Sequence, residues 1–248
     1  MKKILITAAN TPKAYQLAHI LPKQQVVFAD AALQQFIIPD ENSSSYAHEL
    51  LSFCLNHQVE EVFPLKSKEI KALAEAKVLF KEYGIAICIP DLLTAHKLNN
   101  LQDIQLASAA SYTIVGSYQE LSSTLLSLGY PEKKFILGRA DDEGILLTID
   151  DNQTNLNTVW QGLTSASFLQ IGKLFNHKDF EPVKIYAVEE AIIKADVLFY
   201  DGLVSIIQYL DIETIALITA LQSPFNLNGF FEIYISGGKI LRIKPNAL

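Results

Sequence analysis

The sequence predicts an α/β protein: an open parallel sheet at the N-terminus, followed by α+β lobes. Three observations carry the prediction. Over roughly the first ninety residues, short β-rich runs alternate with helical patterns, the mark of βαβ units. After Asp91 a helical connector gives way to strands joined by tight turns such as "YDG" and "GG". Half of the 248 residues are apolar, enough to bury a sizeable core.

Taken in order, "KILIT" reads as the first strand, and Thr11 caps a helix whose first position is Pro12. "QVVFA" follows and ends at Asp30, which either faces a ligand at the strand edge or caps the next turn. "QFIIP" adds an apolar pair, "YAHELLSFCLNH" a helix and "EVFPL" a strand. "SKEIKALAEAKVLFKEY" is a long helix stopped by Gly84, before the strand "IAICI". Beyond these lie the connector helix "DLLTAHKLNNLQDIQLASAA", the helix "LSSTLLSLGY" and the strand–turn–strand "KKFILGRADDEGILLTID". "LNTVWQGLTSASFLQIGKLF" is expected to be a helix, with Trp160 either anchoring it in the core or forming an aromatic wall for a ligand. The strands of "VKIYAVEEAIIKADVLFYDGLVSIIQYL" and the hairpin "NGFFEIYIS-GG-KILRIKP" close the chain, with domain boundaries near residues 97 and 190.

Composition excludes several function classes. With 20 basic against 27 acidic residues and no dense basic run, nucleic-acid binding is not expected, though a small anion remains a candidate ligand. No apolar run reaches the roughly 18 residues of a membrane span, and "MKKILITAANTP" reads as a strand rather than a signal. Cys54 and Cys88 lack metal spacing and read as buried reduced thiols, which fits the cytoplasm. The five histidines show no zinc-type spacing. The first strand-to-helix loop, "TAANTP", has no glycine, which argues against a dinucleotide fingerprint.

The stretches "ILITAANTP…LAHIL", "VVFAD", "HELLSFCLNHQVEEVFPL", "ALAEAKVLFKEYGI" and "GGKILRIKPN" resemble the ATP-grasp superfamily, in its carbamoyl-phosphate-synthase-like and carboxylate–amine ligase branch. The resemblance covers the chain. It implies a Rossmann-like pre-ATP-grasp domain over 1–97, a small lobe with its connector helix over 98–190, and a shortened large lobe over 191–248. Members hold ATP phosphates with a connector basic residue and a strand lysine. Here Leu101, with Lys97 nearby, and Leu137, with Arg139 two residues on, fall at those places. The phosphate loop becomes "ADDEG", in which Gly144 remains but Asp141, Asp142 and Glu143 would repel a triphosphate by about 1 kcal/mol each at ~4 Å in water. That charged turn is either solvated or paired with cations across the lobes.

The resemblance further implies an adenine hinge at Glu189, Glu190, Ala191 and Ile192, with Asp196 as a later acid. It aligns the closing Glu-x-Asn-Pro-Arg strand with Arg242-Ile243-Lys244-Pro245-Asn246, so cations stand at both metal-ligand positions, with Glu232 or Asn228 as the upstream ligand. Magnesium needs hard oxygen donors, and neither cation offers a lone pair. Arg242 and Lys244 are then either a solvated strand face or two fixed charges that bind an anion in place of the metal. The expected function is a catalytically degenerate ATP-grasp-fold protein that binds a nucleotide or small anion, or a partner, in the interlobe cleft. ATP is a candidate ligand, and magnesium is not expected at the usual site. Two alternatives remain: an active ATP-dependent carboxylate–amine ligase working through an acyl phosphate, and a non-catalytic subunit of a multi-chain assembly or homo-oligomer.

Overall fold

The computed structural model describes residues 2–22, 24–31, 36–99, 101, 106–130, 132–139, 147–149, 159–160, 163–166, 182–188 and 190–245. The described chain forms two compact units. The first comprises Met1–His96, Ala195–Glu232 and Lys244–Leu248, and the second Lys97–Lys194 and Ile233–Ile243.

In the first unit, β1 (Lys3–Ile6), β2 (Gln25–Phe28), β3 (Glu61–Phe63) and β4 (Ala86–Ile87) form a parallel sheet in the order β2-β1-β3-β4. Between them run α1 (Pro12–Ile20), α2 (Tyr46–His57) and α3 (Ser67–Glu82). Thr11 caps α1 as its hydroxyl accepts from the Ala14 N–H, and Gly84, at φ +76°, supplies the left-handed turn after α3. Strand periodicity divides the core. Leu5 joins Val27, Val62, Leu50, Cys54, Leu73 and Phe80 on the α2/α3 side. Ile4 and Ile6 point the other way, to Leu17, Phe63, Cys88, Leu198, Tyr200 and Phe230. Both cysteines are buried, and burial pushes the Cys54 thiol up to about 12.

In the second unit, α4 (Leu92–Asn99) is followed by β5 (Thr113–Val115) and α5 (Tyr118–Leu128). The continuous connector helix expected through Ala110 is therefore corrected. By Leu106 the chain has left the helix, and Ala109 bridges Ile240 in extended form. The small residues of "ASAA" carry little apolar surface to hold a helix against a core, and backbone pairing replaces it: the Ala110 N–H donates to the Ile240 carbonyl at 2.7 Å.

A sheet in the order β5-β10-β6-β7-β9-β8 follows, built from β6 (Lys134–Arg139), β7 (Leu147–Ile149), β8 (Val159–Trp160), β9 (Leu163–Ala166) and β10 (Val183–Val188). β8 and β9 correct the helix expected from "LNTVWQGLTSASF". Trp160 and Leu163 flank a two-residue gap that contains Gly162, and the β-branched Val159 and Thr164 pair next to them, a hairpin signal that outweighed the helical spacing.

The remaining strands are β11 (Ile193–Tyr200), β12 (Leu203–Ile206), β13 (Gly229–Ser236) and β14 (Lys239–Pro245), ordered β12-β11-β13-β14. Both hairpin turns place their central residues at positive φ, Asp201 and Gly202 in one and Gly237 and Gly238 in the other. Between β12 and β13, α6 (Ile212–Thr219), capped by Asp211, and α7 (Gln222–Phe225) were not anticipated. The run of isoleucines in "DIETIALIT" gives no polar face by which to recognise an amphipathic helix. Among the described residues, no helix is long and apolar enough to cross a membrane.

Candidate functional site

The strands β6 and β10 give the second unit two chemically different faces. Phe135, Leu137, Val183 and Ile185 pack with Leu121 and Leu125 of α5. Ile136 and Tyr186 point oppositely, into a cluster with Ile192, Tyr234 and Leu241, edged by Tyr112 and Val188. Leu137, aligned by resemblance with a phosphate-binding lysine, therefore sits in the α5 core, 1% exposed. The face toward Tyr186 presents Ile136 and, by the pleat, Gly138.

Opposite Gly138 in register stands Lys184, 1% exposed, with its Nζ 4.9 Å from the Tyr112 ring centroid. Tyr112 and Tyr186 lie 5.5 Å apart, so an ammonium is held at the edge of an aromatic cluster. Sequence reasoning missed this cation. Its signal was a lone lysine in the apolar strand "VKIYAV".

The hinge residues come next. Ile192 is buried in the aromatic cluster, Ala191 and Glu190 are exposed, and the Ser236 hydroxyl donates to the Glu190 carbonyl at 2.9 Å. Asp196 is engaged locally: its N–H donates to Gln208 Oε1 at 2.9 Å and its Oδ2 accepts from Gln208 Nε2 at 3.0 Å. Asp141, Asp142, Glu143, Gly144, Glu189 and the side chains of Arg139 and Trp160 lie outside the described residues. The backbone of Arg139 pairs with Val183.

The two cations of the final strand have distinct surroundings. Arg242 is 2% exposed, so it is not part of a solvated face. Lys244, in the first unit, places Nζ 3.0 Å from Glu232 Oε2, while Lys13, the second residue of α1, places Nζ 3.0 Å from Glu232 Oε1. The Glu232 side chain is 3% exposed and its partners 28% and 20%. The carboxylate is thus clamped by two ammonium groups, each a charge-assisted contact. Among the described residues no group of three His, Cys, Asp or Glu side chains could hold a metal.

The carboxyl edge of the parallel sheet, where ligands of such sheets commonly lie, is filled by side chains. Thr7 Oγ1 donates to Glu69 Oε2 at 2.5 Å and accepts from the Leu65 N–H at 2.9 Å. Lys66 Nζ bridges Asp30 at 3.0 Å and Glu41 at 3.2 Å, which places Asp30 in an ion pair. Glu69 is fully buried. Burial pushes its carboxyl above the usual range, against the opposing pull of the Thr7 hydroxyl and the Lys66 charge.

The folded protein therefore holds the Glu69 proton more tightly than the unfolded chain does. The resulting stability is fully present below the unfolded value and is lost as pH rises through the folded one. Glu69→Gln should accordingly gain stability relative to the parent as pH rises from acid to neutral. Urea unfolding of both proteins across that range would show it, and parallel pH profiles would refute it.

Residues 26–88 match the family model of the PylC-like N-terminal domain. No curated protein matches the chain. Among solved structures, the chain is similar to N5-carboxyaminoimidazole synthetase from Staphylococcus aureus complexed with ADP, at TM-score 0.58 and 13% identity over 100% of this chain and 70% of that one. The corresponding ribonucleotide synthetase from Thermotoga maritima aligns at TM-score 0.57 and 15% identity, over 99% and 68%. Biotin carboxylase from Campylobacter jejuni, in its beta-gamma-ATP complex, aligns at 0.56 and 13%, over 100% of this chain but 65% of its own length. At such identities the likeness is one of fold, and the fold is the ATP-grasp fold expected from the sequence.

Proposed function

We propose that this ATP-grasp-fold chain binds a nucleotide or another small phosphate-bearing anion without magnesium and does not transfer phosphate. The observation that carries the reading is the clamp on Glu232. A carboxylate already held at 3.0 Å by both Lys13 and Lys244 has its oxygen lone pairs directed at ammonium groups rather than at a metal ion. Loss of the metal removes the charge that stabilises a phosphoryl transition state, so binding would outlast catalysis. The anion would enter the face of the second unit that carries Lys184, Tyr112 and Tyr186 beside the 190–192 connection, with the tyrosines flanking a base or ring. The ADP and ATP complexes among the similar folds support a nucleotide as the first ligand to try.

Thermal-shift and calorimetric titrations with ATP, ADP and AMP test the reading. A bound ligand raises the midpoint by mass action, and the rise should be equal in magnesium and in EDTA and should shrink as salt increases. Lys184→Met should weaken the affinity about tenfold or more, as expected when a charged partner of a phosphate is lost. Magnesium-dependent ATP turnover with an amino or carboxylic acid would overturn the proposal in favour of an active ligase.

A second reading, a non-catalytic subunit that works through a protein partner, is favoured by the closure of the aromatic cluster. Tyr186, Ile192, Tyr234 and Leu241 are all 5% exposed or less, so a ligand must part them to enter.

A further inference from the structure

We infer that the outer edge of β12 is a docking site for an extended segment of a partner protein, which adds to the sheet as an antiparallel strand. The site lies wholly in the first unit and is independent of the nucleotide reading. β12 is terminal in its sheet, and among the described residues no strand pairs with its outer side.

The hairpin geometry assigns its backbone groups. β12 follows a two-residue turn, with Tyr200 opposite Leu203 and Leu198 opposite Ser205. These are the hydrogen-bonded pairs of such a hairpin, so the N–H groups of Leu203 and Ser205 point inward to β11, and those of Val204 and Ile206 point outward. The ladder continues in phase beyond the strand, where the Ile207 N–H donates to the Asp196 carbonyl at 3.1 Å. The edge of "LVSI", though only four residues long, carries neither the proline nor the lysine that commonly blunt strand edges.

The surroundings add apolar anchorage. A groove of about 330 Å³, lined by Tyr15, Gln16, His19, Ile20, Ile206 and Ile207, opens where β12 ends. It has room for a side chain projecting from an added strand. Leu203 on the strand and Tyr209 and Ile212 just beyond it are 64%, 102% and 82% exposed.

Charge decides the occupant. Asp201 precedes the strand, and Asp211 and Glu213 follow it, all exposed. A second copy pairing antiparallel would set the Asp201 end of one strand, where the Lys2 ammonium lies 3.8 Å from the carboxylate, against the Asp211 and Glu213 end of the other, so that three carboxylates would meet a single ammonium at each end. The chain as a whole carries a net charge of −7. The complementary occupant is an apolar strand with basic flanks.

A fluorescein-labelled synthetic peptide of alternating valine and threonine, with lysine at both ends, tests this by anisotropy. It should bind the full chain. Val204→Pro removes an outward N–H and leaves the β11 ladder intact, and it should weaken binding about tenfold or more, whereas Val204→Thr should not. Should the proline variant fail to fold, hydrogen exchange on the parent protein decides. The Val204 and Ile206 amides should slow on adding peptide, while distant exposed amides stay unchanged. Equal peptide affinity in parent and proline variant, or no slowing at those amides, overturns the inference. So does a concentration-dependent dimer in sedimentation equilibrium that Val204→Pro abolishes, since the occupant would then be a second copy.

Discussion

Gly229→Ala is expected to destabilise the fold by about 2–6 kcal/mol, the sum of backbone strain and overpacking of roughly 1–3 kcal/mol each. Gly229 opens β13 at φ +138°, a region L side chains rarely adopt, and an added Cβ would lie 2.6 Å from the Cys88 carbonyl oxygen and 3.1 Å from its carbon. Neither neighbour is the movable end of a side chain. The carbonyl belongs to the chain just past β4, whose Cys88 N–H donates to the Val62 carbonyl at 2.8 Å, so the contact cannot relax without disturbing the parallel sheet. For a chain of this length the loss corresponds to a midpoint lowered by on the order of 10 °C. Gly202→Ala is the control. It also sits at positive φ, +75°, but an added Cβ meets nothing within 4 Å, and its penalty should be only about 1 kcal/mol. Equal losses for the two variants in urea unfolding would show that close approach at Cys88 is not what requires a glycine.

The second large effect belongs to the Glu232 clamp, and it is asymmetric. Lys13 and Lys244 are 20% and 28% exposed, so either ammonium deprived of the carboxylate can turn to water. Glu232, at 3%, cannot. Removing both cations, as Lys13→Met with Lys244→Met, leaves a buried charge without them and should cost about 3–5 kcal/mol. Either single change leaves one ammonium in place and should cost about 1 kcal/mol, so the double variant exceeds the sum. Glu232→Gln, which keeps the shape and hands both cations to solvent, should fall between them. A double-mutant cycle by chemical denaturation measures this. Strict additivity would mean that the two lysines do not share the carboxylate.

Much of the fold was legible because its cues are local. Thr11 before Pro12, Gly84 after α3, and the pairs Asp201-Gly202 and Gly237-Gly238 each dictate a backbone conformation within a few residues of themselves. The apolar runs of β1 to β4 likewise announce strands covered on both faces. Reading failed where local cues conflicted or were mute. β8 and β9 lay in a stretch with helical spacing but β-branched residues, and α6, whose few polar residues Glu213, Thr214 and Thr219 do not share a face, offered no periodicity. The candidate site was legible only in part. Arg242 and Lys244 stood out as charges in an apolar strand, yet nothing in "LRIKP" separates the nearly inaccessible Arg242 from the clamping Lys244.

The sequence by itself determined where the N-terminal strands and helices and the hairpin turns at Asp201-Gly202 and Gly237-Gly238 begin, the acidic balance of the chain and the unusual residues along its final strand. Only the tertiary structure decided which face of β6 meets α5, that Lys184 rather than Leu137 fronts the aromatic cluster, and that Glu232 is held by Lys244 and by Lys13, the latter 219 residues away in the chain. Secondary structure follows from dihedral preference and periodicity over a few neighbouring residues. The partner of a buried charge is settled by which distant strands and helices pack together, because a desolvated carboxylate must find compensation wherever the fold happens to bring an ammonium group within reach.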